Sequence, residues 1–328
     1  MKKILAIALI AGMTMMLVLT GCNQKTPAKS SSSGNQKTFT IAFVPGITTD
    51  EFYISMKKGV DSEAKKLGIK VIYQGASTWD YTKQAPIIDA MTAQKPDLII
   101  TAPTDTNAMI VPLKKAFDAG IPIITVDTNI GDTSFIVTNI TSDNLQGGSL
   151  AADALAKLAN STGEVALMNT IAGVTTTDQR QIGFENEIKK YPNMKLVSEQ
   201  YCNDEANTAA AKIQDIILGH PNLVGVFAAN VVTADGVQVG ITAKGDAAKV
   251  KIVAYDAGPS EVQGLKDGKI AALIVQKPME EGIMAVDYAN DYLTGKKDQI
   301  PSSVLLPAVV ATKDNMTDPT ISQWFYTK

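Results

Sequence analysis

Cysteine is nearly absent: Cys22 and Cys202 are the only two in 328 residues. A single histidine, His220, lies in a His-Pro-Asn run that reads as turn chemistry after a helix. Histidine-based acid–base catalysis and histidine-rich metal sites therefore have little to work with. The chain also lacks G-x-x-x-x-G-K-[ST], G-x-S-x-G and H-E-x-x-H, and no G-x-G-x-x-G follows a strand-like run. Paired acids such as Asp127 and Asp256 would in principle suit glycoside hydrolysis. With the usual catalytic motifs missing, no enzyme and no cofactor is expected. Nor is there a basic excess, since 30 Lys+Arg stand against 33 Asp+Glu for a net charge of −3. Without a basic tract, nucleic acid is not an expected partner.

What is present begins with a leader. Lys2 and Lys3 precede an apolar run over 4–19, a little short for the ~20 residues of a membrane-spanning helix. A positive start, an apolar middle and small residues at the end make a secretory signal over 1–21. The run ends in Leu19-Thr20-Gly21-Cys22, which resembles a bacterial lipobox. That resemblance implies cleavage before Cys22 and acylation of its thiol, and two or three acyl chains suffice for stable anchoring. Removing Lys2 and Lys3 with the leader leaves 28 basic against 33 acidic residues. With Cys22 lipidated no disulfide can form within the chain, and Cys202 reads as a small packing residue. Residues 22–37 are rich in Ser, Lys, Gln and Asn and read as a flexible tether.

From Thr38 a unit repeats: a short apolar β-branched run, a turn, then a helical pattern. The runs are FTIAFVP, IKVIYQG, PDLIITAP, IPIITVDT and SFIVTNI in the first half. In the second half they are GEVALMN, MKLVSEQ, LVGVFAAN, VKIVAYDAG and IAALIVQ. Phe52, Met56, Val60 and Ala64 fall on one helical face, and Thr48-x-x-Glu51 fits a capping box before them. Helices are also expected over 150–159, 208–218 and 279–293, with a last strand over 303–311. Apolar strands alternating with amphipathic helices indicate parallel sheets covered on both faces. Ten strands would crowd one sheet, so two α/β lobes of about five strands each are expected.

Ligands of parallel α/β sheets bind beyond the carboxyl ends of the strands. Those ends carry Asp50, Phe52 and Tyr53; Trp79; Asp127 and Thr128; Asp178 and Arg180; Asp204; Asn230; Asp256; and Gln276. Carboxylates and amides suit a polyhydroxylated ligand, because they accept and donate hydrogen bonds to hydroxyls. Aromatic rings suit the C–H face of a sugar. Any one of these polar residues also suits a turn or a helix cap, so the pattern speaks through their recurrence at one edge of both sheets.

The runs IAFVPGITTDEFYISMKKGVDSEAKKLG, APTDTNAM, AFDAGIPIITVDTN, TSDNLQGGSLAADAL, RQIGFENEI, GHPNLVGVFAAN and VKIVAYDAGPSEVQGLKDGKIAALIVQKPMEEGIMAV together resemble the type I periplasmic binding proteins. Specifically they resemble the ribose-binding-like solute receptors of bacterial ABC importers, over nearly all of 38–310. The resemblance implies two Rossmann-like parallel-sheet lobes, 38–139 plus 277–307 and 140–276 plus 308–328. Three hinge crossings near 139–141, 276–278 and 307–310 would join them. It assigns ligand contacts to Asp50, Phe52, Tyr53, Asp127, Arg180, Asn230, Asp256 and Gln276. Ribose-type receptors have Asn at the position of Asp50 and Arg at those of Thr128 and Asp178, and an aromatic near Asp204. This chain's pocket is thus more acidic and poorer in cations, with Trp79 a candidate for the missing aromatic. The implied protein is a monomer that captures a sugar or polyol and delivers it to ABC permease subunits. Import is not separable here from presentation of a sugar or autoinducer to a chemotaxis or sensor protein. A sugar-responsive repressor would need a DNA-reading head where this chain has its leader. A lipid anchor on a slack tether places the protein on the extracytoplasmic face of the membrane and suits a Gram-positive surface, where no outer membrane retains soluble receptors.

Overall fold

The computed structural model describes residues 38–246 and 248–326. The leader, Cys22 and the tether lie outside the described residues. In chain order the elements of the first half are β1 (Thr40–Val44), α1 (Glu51–Leu67), β2 (Lys70–Tyr73), α2 (Tyr81–Gln94), β3 (Leu98–Thr101), α3 (Ile110–Asp118), β4 (Ile123–Val126) and β5 (Ile136–Ser142). The second half adds α4 (Asn144–Leu158), β6 (Gly163–Asn169), α5 (Thr175–Ile188), β7 (Met194–Tyr201), α6 (Ala206–Gly219), β8 (Leu223–Ala228), α7 (Val231–Lys244), β9 (Lys251–Tyr255), α8 (Pro259–Asp267) and β10 (Ala272–Val275). There follow α9 (Pro278–Leu293), β11 (Ser303–Leu306), β12 (Val309–Thr312) and the short α10 (Pro319–Ser322).

The strands form two six-stranded sheets, ordered β11-β5-β4-β3-β1-β2 and β12-β10-β9-β8-β6-β7. All pairings are parallel except β10 with β12. In both sheets the strand order reverses beside the first strand of the half, so a crevice opens at the carboxyl ends. The central strands are mostly apolar and fully buried, as β3 and β4 illustrate with one buried threonine each. Such runs fit a sheet with helices on both faces.

The expected last strand over 303–311 is in fact two. β11 pairs with β5 in the first sheet, and β12 pairs with β10 in the second. Pro307 lies between them, and a residue without an N–H cannot carry a ladder onward. Each sheet therefore gains a sixth strand. The chain passes between the sheets after Ser142, after Val275 and after Leu306. The first passage comes later than expected because β5 extends to Ser142.

Two helix pairs flank the crevice, and glycines bring each pair into contact. A Cβ on Gly59 of α1 would lie 2.1 Å from the Met279 carbonyl oxygen, and one on Gly282 of α9 2.2 Å from that of Met56. In the other half, a Cβ on Gly148 of α4 would lie 2.0 Å from the Arg180 carbonyl oxygen, and one on Gly183 of α5 2.1 Å from that of Leu145. Only glycine permits such an approach. α9 thereby returns to the first sheet's helices although it follows the tenth strand.

α1 buries the expected face, Phe52, Met56, Val60 and Ala64. Its cap is not the expected Thr48-x-x-Glu51 box. Asp50 is the N-cap and its carboxylate accepts from the Phe52 N–H at 2.7 Å, while the Thr48 hydroxyl donates to the Ala76 carbonyl at 3.1 Å. The helix ends at Gly68, φ 70°, a left-handed position that suits glycine. α4 starts at Asn144 rather than near 150, because Asp143 caps it by accepting from the Gln146 N–H at 3.0 Å. Cys202 is a buried free thiol. Among the described residues, no helix is long and apolar enough to cross a membrane, and no cluster of three or more His, Cys, Asp or Glu suits a metal ion.

Candidate functional site

The strand ends of the two sheets enclose a cavity of about 550 Å³, its mouth included. The N-cap and first turn of α1 contribute Asp50, Phe52 and Tyr53, the loop after β2 contributes Trp79, and Asp127 directly follows β4. Opposite them stand Arg180 from α5, Asp204 after β7, Asn230 after β8, Asp256 after β9 and Gln276 after β10. Thus ten of the twelve residues singled out from the sequence line one space.

Thr128 and Asp178 do not line it. The Thr128 hydroxyl turns to the Pro103 carbonyl at 2.7 Å, in the loop after the neighbouring β3. Asp178 turns back along its helix start and accepts from the Gly173 N–H at 3.0 Å. It holds a loop whose Gly173 carbonyl receives the Thr106 hydroxyl of the other half at 3.3 Å. Ile47, Thr170, Ile171, Val174, Thr176 and Thr177, not among the twelve, complete the wall. Their positions beyond strand ends were visible, but no polar or aromatic signal marked the three aliphatic ones.

The two halves present their central acids in the same way. Asp127 closes β4 at φ 58° and Asp256 closes β9 at φ 92°, conformations that cost a non-glycine residue of order 1–3 kcal/mol. Each backbone N–H is held at 2.8 Å by a carbonyl of the next strand, Ile140 for Asp127 and Ile274 for Asp256. The turn aims each carboxylate into the crevice instead of along the strand. A tyrosine hydroxyl then donates to each acid: Tyr53 to Asp127 Oδ2 at 2.5 Å and Tyr326 to Asp256 Oδ1 at 2.8 Å. Gln276 Nε2 donates to the same Asp256 Oδ1 at 2.5 Å. Asn230 caps α7 through its carbonyl oxygen and donates its amide to Asp204 at 2.9 Å.

Arg180 is the one cation of the lining, set against Asp50, Asp127, Asp204 and Asp256. It is 3% exposed; Nε donates to Asn144 at 2.8 Å, Nη1 to the Ala229 carbonyl at 2.7 Å, and the guanidinium lies 3.8 Å from the Tyr255 ring centroid. Burial is the first cause by which three of these acids hold their protons more tightly. Burial, then the charge of Asp256, pushes Asp50 up to about 7. Burial raises Asp127 to about 6, although Tyr53 and Arg180 pull it down. Burial also raises Asp204, against the hydrogen bond from Asn230. Glu281, fully buried at the start of α9, was not anticipated. It accepts from the Ser142 hydroxyl at 2.9 Å, and burial followed by the charge of Asp127 pushes it far above the ordinary carboxyl value.

The aromatic wall is Phe52, Tyr53 and Trp79. Tyr53 meets Phe52 edge-on at 5.1 Å and stacks on Trp79 at 6.3 Å. Gly46 makes room for it, since a Cβ there would lie 2.3 Å from Trp79 Cζ3. Among the described residues the buried indole Nε1 of Trp79 and Oε1 of Gln276 have no hydrogen-bond partner. One is a donor and the other an acceptor, and both belong to residues lining the cavity.

Residues 41–297 match the family model described as periplasmic binding protein domain. The ribose import binding protein RbsB of Bacillus subtilis (strain 168) is 31% identical over 301 residues, covering 91% of this chain and 96% of its own. An ABC transporter solute binding protein from Agrobacterium vitis, solved with alpha-D-tagatopyranose bound, is 41% identical with a TM-score of 0.86, over 89% of this chain and 100% of that one. A carbohydrate transporter solute binding protein from Agrobacterium radiobacter, in complex with D-arabinose, is 32% identical with a TM-score of 0.83, over 88% and 99%.

Proposed function

The chain belongs to the periplasmic binding protein domain family, and on that premise we propose that it captures a monosaccharide or similar polyol for an ABC importer. Its two parallel-dominated sheets are the type I periplasmic binding protein fold. The carrying observation is the cavity itself, which four carboxylates and one guanidinium line together with aromatic side chains from the first half. Hydroxyls donate and accept at once, so one polyol can answer the carboxylates, the guanidinium and the amides of the lining together. The aromatic wall offers the apolar face that a sugar ring needs.

In this reading Asp50, Asp127, Asp204 and Asp256 accept from sugar hydroxyls, and Arg180, Asn230 and Gln276 donate to them. Phe52, Tyr53 and Trp79 pack against the ring. Thr128 and Asp178 act one step back, shaping the loops around the mouth. Sugar favours the form in which the lobes are closed on it, with the three crossings absorbing the change. The closed, monomeric receptor hands its cargo to permease subunits and performs no chemistry on it. Cys22 carries the lipid that holds it at the extracytoplasmic face of the membrane, on a Gram-positive type of surface.

The test is calorimetric titration of the purified chain with D-ribose, D-tagatose and D-arabinose, followed by a wider sugar and polyol panel read by thermal shift. A bound sugar raises the melting temperature as RT ln(1 + [L]/Kd). No binding and no shift across the panel overturns the proposal, and so does turnover of a bound sugar.

A further inference from the structure

The last described residues return to the site from far along the chain. After α10, Trp324 places its ring under Lys277 Nζ at 4.9 Å, beside the second passage between the sheets. Tyr326 is 3% exposed, and its N–H donates to the Ala257 carbonyl at 2.9 Å. Its ring meets that of Phe52, on α1 of the first half, at 6.0 Å and 72°. Its hydroxyl donates to Asp256 Oδ1 at 2.8 Å. One residue thus touches the aromatic wall of one half and the central acid of the other.

We propose that Tyr326 is a positioning residue for Asp256, and that the carboxy-terminal segment is part of the binding apparatus. Terminal torsions of an Asp side chain are broad, so a carboxylate held by one donor still swings. Here Gln276 and Tyr326 both load Oδ1. Two donors on one oxygen fix the carboxylate plane and leave Oδ2 as the oxygen that takes a sugar hydroxyl. Burial, then the charge of Asp256, holds the Tyr326 phenol well above its ordinary value, so it remains a donor throughout the physiological range. The other half has the same device, with Tyr53 on Asp127. The sugar-binding consequence rests on the proposed function; the positioning of Asp256 does not.

The test compares the full-length native chain with Y326F, which keeps the ring on Phe52 and loses only the hydroxyl. For whichever of D-ribose, D-tagatose and D-arabinose the native chain binds, Y326F is expected to bind about tenfold more weakly. Its ligand-free melting temperature should fall somewhat, because Asp256 loses one of its two buried donors while Gln276 keeps the other. Unaltered affinity in Y326F overturns the proposal. If the native chain binds none of the three, the proposed function is what suffers, and ring-labelled tyrosine NMR decides the positioning. The Tyr326 phenol, assigned by its loss in Y326F, should resist ionisation beyond the ordinary ~10 in the native chain and titrate lower in D256N. Titration at ~10 in the native chain, unmoved by D256N, overturns it.

Discussion

Replacing Asp256 by Asn separates its two tasks. In the ligand-free chain the carboxylate serves as acceptor for Gln276 and Tyr326, both nearly fully buried. Asparagine keeps an oxygen at that place, so both donors stay paired. It also removes a charge that acts on Asp50 and Asp127 across the cavity and on Glu261 behind it. Against this it weakens the attraction on the buried Arg180 charge, so ligand-free stability at pH 7 should change less than in Asp256→Ala. Sugar binding loses a bond to a charged acceptor, worth ~1.5–3 kcal/mol, which is a ~10–150-fold rise in Kd. Asp256→Ala differs, because it strands the Gln276 amide and the Tyr326 hydroxyl in a dry interior at ~1–3 kcal/mol each. Calorimetry and urea denaturation of both variants give the two quantities separately. Because the charge of Asp256 is the second cause of the Asp50 shift, the Asp50 carboxyl should also titrate below its native value of about 7 in D256N. An Asn variant that binds sugar like the native chain, or loses stability as the Ala variant does, refutes the account.

The pH dependence has a definite sign. Asp50 at about 7 and Asp127 at about 6 stand above the ordinary 3.8, so the folded chain holds protons that the unfolded one has released. The stability this gives is complete below pH ~4 and fades as pH rises through 6 to 7, so urea midpoints without sugar should rise from pH 8 to pH 5; a flat profile counts against the burial of these acids. Gly282→Ala places a Cβ against the Met56 carbonyl and should cost ~1–3 kcal/mol as α1 and α9 part, seen as a lower melting temperature. An unchanged melting temperature would mean that the helix pair is looser than described. Cys22→Ala should move the protein from the membrane fraction to the soluble fraction of the producing cells and abolish labelling by radioactive palmitate, whereas retention in the membrane would show another anchor.

Much of this was legible because two periodic signals coincide. Apolar β-branched runs such as IITV and VAY mark buried parallel strands, and the residue that ends each run, Asp127 or Asp256, stands where the sheet meets the crevice. Long-range contacts left no such trace. Tyr326 reaches Asp256 from seventy residues away in sequence, and nothing near either residue announces the pairing. Glu281 looks like one more helix-surface acid, yet α9 turns it inward against Ser142. The start of α4 was obscured by Gly147 and Gly148, poor helix formers kept because a Cβ on them would strike the Tyr255 hydroxyl and the Arg180 carbonyl. Thr128 and Asp178 occupy the right loops, but a neighbouring backbone group satisfies each of them first. Pro307 was a visible cue that the last strand breaks in two.

The order of strands bears on the protein's birth. β11 and β12 complete the two sheets from the far end of the chain. A polypeptide emerging amino end first thus cannot finish either half, or seat Tyr326 on its acid, until nearly all of it is out. The two edges of the sheets, and with them the seat of Tyr326, are therefore laid down last.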